Sequence, residues 1–226
     1  MTYEETIEYI KSHGSPENVV GMARFGINAN NTYGVSMPTL RGMAKQLRKN
    51  HTLAEQLWAS GIHEARILAG LIDDPAQVTE EQMERWVLDF DSWDVCDQVC
   101  SNLFGKTPYA FRKAVEWSAR SEEFVKRAGF VLMTQLAVHN KKAPDEEFER
   151  FLPIIIRESS DDRNFVRKAV NWALRQIGKR NHHLNELAIR TAEEIRQKGD
   201  KASRWIASDA LRELTGEIAQ RRLGRK

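Results

Sequence analysis

Two stretches of this chain carry side chains whose types and spacing point to chemistry. In Ser92-Trp93-Asp94-Val95-Cys96-Asp97, Trp93 and Asp97 are four residues apart, so on a helix they stack on adjoining turns and share a face. The apolar side of that helix is Cys96, Val99, Cys100, Leu103 and Phe104, which leaves Asp97 at its rim. A carboxylate at an apolar rim beside an indole is costly unless paired. The plain structural account is an ion pair between Asp97 and an arginine of the next helix, with Asp94 helping to cap the helix start and Trp93 in the core. Arg127, at the rim of the following long helix, is either that partner or a phosphate clamp.

The second stretch is 163–179. At about 100° per residue, Val166, Val170, Ala173, Leu174 and Ile177 fall on one side and form a core face. Lys168, Trp172, Arg175 and Lys179 fall together on the opposite side, at spacings of four, three and four. An indole among cations is what a nucleic-acid surface needs, because cations neutralise phosphates while an aromatic face takes a sugar or base. The alternative is that Trp172 packs with Phe165 against a neighbouring repeat, beneath the aliphatic stems of the cations.

The elements that must position these groups are helices. Apolar residues recur at spacings of three and four almost everywhere, and alternating strand patterns bounded by hairpin turns are absent. Predicted helices cover 2–12, 16–25, 37–49, 53–59, 63–73, 80–90, 93–104, 109–119, 123–139, 145–158, 163–179, 183–198 and 201–215. Ser15-Pro16, Ser36-Met37-Pro38, Thr107-Pro108 and Asp161-Asp162 read as helix starts, and Gly178 and Gly216 as stops. Glu123-Phe124-Val125-Lys126-Arg127-Ala128 recurs as Asn164-Phe165-Val166-Arg167-Lys168-Ala169, 41 positions on, a period in the range of HEAT and armadillo repeats. A weaker echo relates Ala173-Leu174-Arg175 to Ala210-Leu211-Arg212. The conspicuous non-helical stretch is the Asn- and Gly-rich segment 26–36. No linker stands out, so a single domain over 1–226 is expected.

Composition sets the outer bounds. The chain has 226 residues, 41% hydrophobic and 29% charged, with six prolines, which is the make-up of a soluble globular protein rather than a disordered one. No apolar run is long enough for a membrane helix, and the start of the chain lacks the basic and apolar regions of a leader; a cytoplasmic protein is expected. Cys96 and Cys100 sit four apart on one helix, a poor geometry for a disulfide and a fit to a reducing compartment. The six histidines do not build a zinc site with them. Net charge is only +2, yet from Ser159 onward 16 Lys and Arg face 9 Asp and Glu. A basic segment in a near-neutral chain provides a local phosphate-binding surface, or simply a solvated helical face.

Taken in order, Met22-Ala23-Arg24-Phe25, Gly34-Val35-Ser36-Met37-Pro38-Thr39-Leu40-Arg41, Ser92-Trp93-Asp94-Val95-Cys96-Asp97, Lys126-Arg127-Ala128 and Val166-Arg167-Lys168-Ala169-Val170-Asn171-Trp172-Ala173-Leu174-Arg175 resemble the DNA alkylation repair family of HEAT-like-repeat glycosylases, the AlkD-like proteins. The resemblance spans most of the chain. It implies an all-α, right-handed solenoid of HEAT-like repeats, C-shaped with a concave basic face. On that face would lie Trp93, Trp172 and Asp97 as catalytic groups, with Arg127, Lys168, Arg175 and Lys179 on phosphates. Phe25 joins the DNA-contacting set at a position where relatives often carry tyrosine. Ser92 likewise stands where relatives often have a second aromatic.

The chemistry implied is release of cationic alkylated purines, 3-alkyladenine and 7-alkylguanine, from duplex DNA by a monofunctional glycosylase. Alkylation at N3 or N7 makes the base cationic, so it leaves neutral and needs no general acid. Asp97 and the faces of Trp93 and Trp172 would stabilise an oxocarbenium-like deoxyribose, and Asp97 could orient the water. The resemblance further implies that the lesion can stay stacked, without base flipping, that no cofactor is needed, and that the partner is double-stranded DNA met by a monomer. A non-catalytic DNA-binding relative would keep the same basic surface, and a HEAT-like scaffold would offer its groove to a peptide. The aspartate of Trp-Asp-x-x-Asp together with the distant Trp172 favours the enzyme over both.

Overall fold

The computed structural model describes residues 1–224, and every regular element among them is helical. In chain order these are α1 (Tyr3–Ser12), α2 (Pro16–Arg24), α3 (Met37–Leu47), α4 (His51–Ala59), α5 (His63–Ile72), α6 (Glu80–Leu88) and α7 (Trp93–Asn102). A short 3-10 turn, Phe104–Lys106, leads on to α8 (Ala110–Ser118), α9 (Glu123–His139), α10 (Asp145–Glu149), α11 (Phe151–Glu158) and α12 (Asn164–Gly178). The last helices are α13 (His182–Gln197), α14 (Lys201–Leu214) and α15 (Glu217–Leu223). None of the described helices is long and apolar enough to cross a membrane. The chain divides into two compact units, Met1–Tyr109 and Ala110–Lys226.

Local chemistry fixes where the helices begin. Side chains of Thr2, Ser15, Ser36, Asn50, Thr79, Asn181 and Asp200 each accept a backbone N–H of the first turn they precede, satisfying donors that the helix itself cannot. In the first unit α5 is the central element, packing on α3, α4 and α7. The stacked indoles of Trp58 and Trp86, 4.0 Å apart and nearly parallel, bind α4 to α6. In the second unit α8 packs on α9 and α13 on α14, while α9, α12 and α14 follow one another as a single layer. The repeat of period 41 is physical: Phe124 of α9 and Phe165 of α12 are its equivalent positions, and their rings lie 5.7 Å apart. The expected core faces are buried, Val166, Val170, Ala173, Leu174 and Ile177 on α12, and Cys96, Val99 and Cys100 on α7 with Leu103 and Phe104 just beyond it.

Three local expectations differ from the structure. The helix expected over 145–158 is two helices broken at Arg150. Pro153 explains this, since in an unbroken helix its ring would meet the carbonyl of Glu149 four residues earlier and it has no N–H to give. Gly178 stops α12 as expected, being its last residue, and it also packs closely: a Cβ there would lie 2.7 Å from Leu214 and 2.8 Å from Ala188. Gly216 follows the end of α14 as expected, its N–H donating to the Glu213 carbonyl, but it also precedes α15, a helix the sequence pattern did not reveal. Asp161 does not cap α12 and instead accepts the backbone N–H and the guanidinium of Arg163.

Candidate functional site

The first unit presents Trp93 and Asp97 from α7. Both are half-buried and sit one turn apart. Trp93 is therefore not a core residue; its Nε1 donates to the carbonyl of Phe25 at 3.1 Å, which ties the end of α2 to the start of α7. Phe25 itself is 73% exposed. Trp93, Phe25, Met22, Met37 and Ile67 line an open, largely apolar pocket of about 610 Å³.

Two acidic groups hold this arrangement through contacts that the sequence did not show. Asp94, expected as a cap, accepts from His63 Nε2 at 2.9 Å and from the buried Ser92 hydroxyl at 2.7 Å, so it fastens α7 to α5. Burial alone would lower the His63 pKa, but the hydrogen bond and charge of Asp94, with Glu64 and Asp91 nearby, raise it above its ordinary value. Burial would likewise raise Asp94, yet His63, Ser92 and the Val95 N–H together hold its carboxyl below the ordinary range. Glu64, 1% exposed, accepts backbone N–H groups from Tyr33, Gly34 and Val35, the shortest at 2.6 Å to Gly34. Gly34 is at φ +80°, and a Cβ there would come within 2.3 Å of the Ser15 carbonyl; only glycine fits this turn. A glutamate in the first turn of a helix reads as an ordinary helix-dipole residue, and nothing in the sequence linked it to a loop some thirty residues upstream.

The second unit presents Arg127, Lys168, Trp172, Arg175 and Lys179. Arg127 of α9 is buried, and its Nη1 donates to the Phe165 carbonyl of α12 at 2.6 Å. Lys126 beside it bridges Glu158 at 2.6 Å and Asp161 at 3.5 Å. Burial would raise both carboxyls, but Lys126 and the neighbouring arginines lower them. Trp172 is half-buried on the side of α12 away from the core. The ring of Phe165, its packing partner in the structural alternative, lies against Phe124. With the Gln176 amide oriented to satisfy its neighbours, its oxygen accepts from Trp172 Nε1 at 3.3 Å and Lys179 Nζ at 2.9 Å.

The four cationic and aromatic residues of α12 differ in availability. Arg175 pairs with Glu213 and, at 3.6 Å, with Asp209 of α14; Lys179 meets Glu213 at 2.5 Å. Lys168 is exposed. Each unit thus brings together its own share of the expected site residues. Among the described residues no group of three or more His, Cys, Asp or Glu could hold a metal ion.

Comparison with known proteins decides the family. A profile described as DNA alkylation repair enzyme matches residues 6–214. The chain belongs to that family. An uncharacterized protein of Listeria innocua is 24% identical over 193 residues, 84% of this chain and 79% of its own length. Another, from Listeria monocytogenes, is 23% identical over the same shares. Among solved structures, a protein described as one of a new family related to the HEAT-like repeat DNA glycosylases, with affinity for branched DNA structures, superposes with a TM-score of 0.80 at 21% identity. The match covers 99% of this chain and 97% of that one. The fold is therefore the all-α HEAT-like solenoid expected from the sequence, and the family is the one its motifs resemble.

Proposed function

We propose that this member of the DNA alkylation repair enzyme family is a monofunctional DNA glycosylase acting on cationic alkylated purines in duplex DNA. The observation that carries the reading is an acid beside an indole on α7. Asp97 is half-buried one turn beyond Trp93, and Trp93 lines the open, largely apolar pocket of the first unit. In the reaction the C1′–N bond breaks, its electron pair goes to the departing base, and the alkylated purine leaves neutral. Asp97 faces the positive charge that develops on the sugar, with the indole of Trp93 contributing cation–π attraction. Water adds at C1′ and loses its proton, oriented by the same carboxylate. Lys168, Arg175 and Lys179 hold phosphates and Phe25 contacts the DNA, while Arg127, buried against the Phe165 carbonyl, holds α12 in place. The whole works as a monomer in the cytoplasm, without a cofactor, on one lesion-bearing duplex.

Asp97→Asn tests the catalytic claim. Release of 7-methylguanine from methylated duplex DNA should fall by about 100-fold or more, as expected when an electrostatic stabiliser of a transition state is lost, while duplex affinity stays within about twofold. A second reading, DNA binding without catalysis, is supported by the structural relative described by its affinity for branched DNA. That reading prevails if wild type and Asp97→Asn both bind the duplex and neither releases base above background.

A further inference from the structure

Helix α14 repeats the surface pattern of α12. Lys168, Trp172, Arg175 and Lys179 have counterparts 33 positions on in Lys201, Trp205, Ser208 and Arg212. At about 100° per residue each set falls within a narrow stripe along its helix. The two helices pack in one layer. Lys201, Trp205, Ser208 and Arg212 are all exposed, and Trp205 keeps 38% of its surface in solvent, more than the other large aromatic side chains of this unit.

The surroundings of Trp205 are cationic. The Arg167 guanidinium, reaching across from the flank of α12, lies 4.7 Å from the ring centre, and the adjoining Arg204 is exposed. The carboxylates of α14 lean the other way, towards α12. Asp209 accepts from Asn171 at 2.7 Å, and Glu213 takes Arg175 and Lys179; Asp209 also pairs with Arg212. A tryptophan with part of its surface open and set among cations has lost apolar burial that folding alone would favour.

We propose that the exposed stripe of α14 is a second nucleic-acid contact that receives an unpaired DNA strand, with Trp205 as its stacking platform. Lys201, Arg204 and Arg167 would take the phosphates of that strand. The preference for an unpaired strand follows from what Trp205 can touch. In a duplex the base faces are covered by their neighbours, and a surface indole reaches only sugar and phosphate. An unpaired nucleotide presents a whole face, and stacking on an aromatic side chain tolerates any base. The cations set the sign of the partner, since they complement phosphate. This inference rests on the DNA binding proposed above, not on catalysis.

The test compares a labelled blunt duplex with the same duplex carrying a single-stranded flap, by fluorescence anisotropy over a range of salt. Wild type should bind the flapped DNA more tightly than the blunt. Trp205→Ala should lose about tenfold on the flapped DNA and nothing on the blunt, with Trp205→Phe keeping most of the preference. Lys201→Ala with Arg204→Ala should lower the salt slope on flapped DNA alone, by about one to two. Thermal melting of each variant establishes that it is folded. The proposal is overturned if wild type shows no preference for the flap, or if Trp205→Ala weakens both DNAs equally or neither. A flap preference with no release of 7-methylguanine from methylated duplex would sink the glycosylase reading and leave this one standing. Blunt-duplex binding without a flap preference would do the reverse.

Discussion

At the scale of single residues, Glu64 decides more than its position suggests. Its carboxylate collects three consecutive backbone N–H groups from the loop that joins α2 to α3, at a site closed to solvent. Glu64→Ala leaves those donors without their acceptor, and each buried donor left unmade costs about 1–3 kcal/mol. We expect a loss of about 3 kcal/mol in urea unfolding, with Glu64→Gln costing less because one acceptor oxygen remains. A midpoint unmoved by Glu64→Ala would mean the loop is held by something else. The contrast with Trp93, Asp97 and Trp172 shows what a sequence displays. Those residues stand out because their types clash with a simple core-and-surface pattern. Glu64 does not clash with anything until the loop it binds is brought to it. Trp205 falls between: its spacing from Lys201 matches that of Trp172 from Lys168, so its signal was present, but the echo at 33 positions was hidden behind the stronger one at 41.

At the scale of elements, the helices were legible because a period of 3.6 runs through nearly the whole chain. What escaped were features set by single contacts. The break between α10 and α11 needed Pro153 to be weighed against the carbonyl four residues before it, and α15 is short and follows a glycine that reads as a stop. The tie between α5 and α7 makes a pH prediction at this scale. His63 has a raised pKa in the folded state, so its contribution is fully present below the unfolded value of 6.5 and is lost as pH rises through the higher folded value. Asp94 has a lowered one, so its contribution is present above 3.8 and lost as pH falls through the folded value. The pair therefore stabilises most between those limits. The stability difference between wild type and Asp94→Asn should be larger in urea titrations at about pH 5.5 than at about pH 9; a difference that grew with pH would refute the tie. Gly178 offers a packing test on α12. Gly178→Ala would put a methyl group against Leu214 and Ala188, and overpacking of this kind costs about 1–3 kcal/mol, despite the gain in helix propensity of about 1 kcal/mol that the same change brings on an open helix face.

At the scale of the whole molecule, the basic bias of the C-terminal third was visible in the sequence, but its availability was not. Charge counting treats Lys168, Arg175 and Lys179 alike, whereas the fold engages two of them with Glu213 and leaves Lys168 exposed. The salt dependence of duplex binding separates these cases, because the slope of affinity against salt reports how many phosphates are neutralised. Lys168→Ala should weaken binding to all duplex sequences alike and lower the slope by about one. Removing a carboxylate should do the opposite. Glu213→Gln releases Arg175 and Lys179 from their acidic partner, so duplex affinity at low salt should rise and its slope steepen by about one to two. In each native ion pair the carboxylate competes with phosphate for the same cation, and a variant lacking the competitor no longer meets that opposition. If Glu213→Gln instead weakens binding, the carboxylate is holding Arg175 and Lys179 in the geometry that DNA needs, and the two cations would then act through position rather than through charge alone.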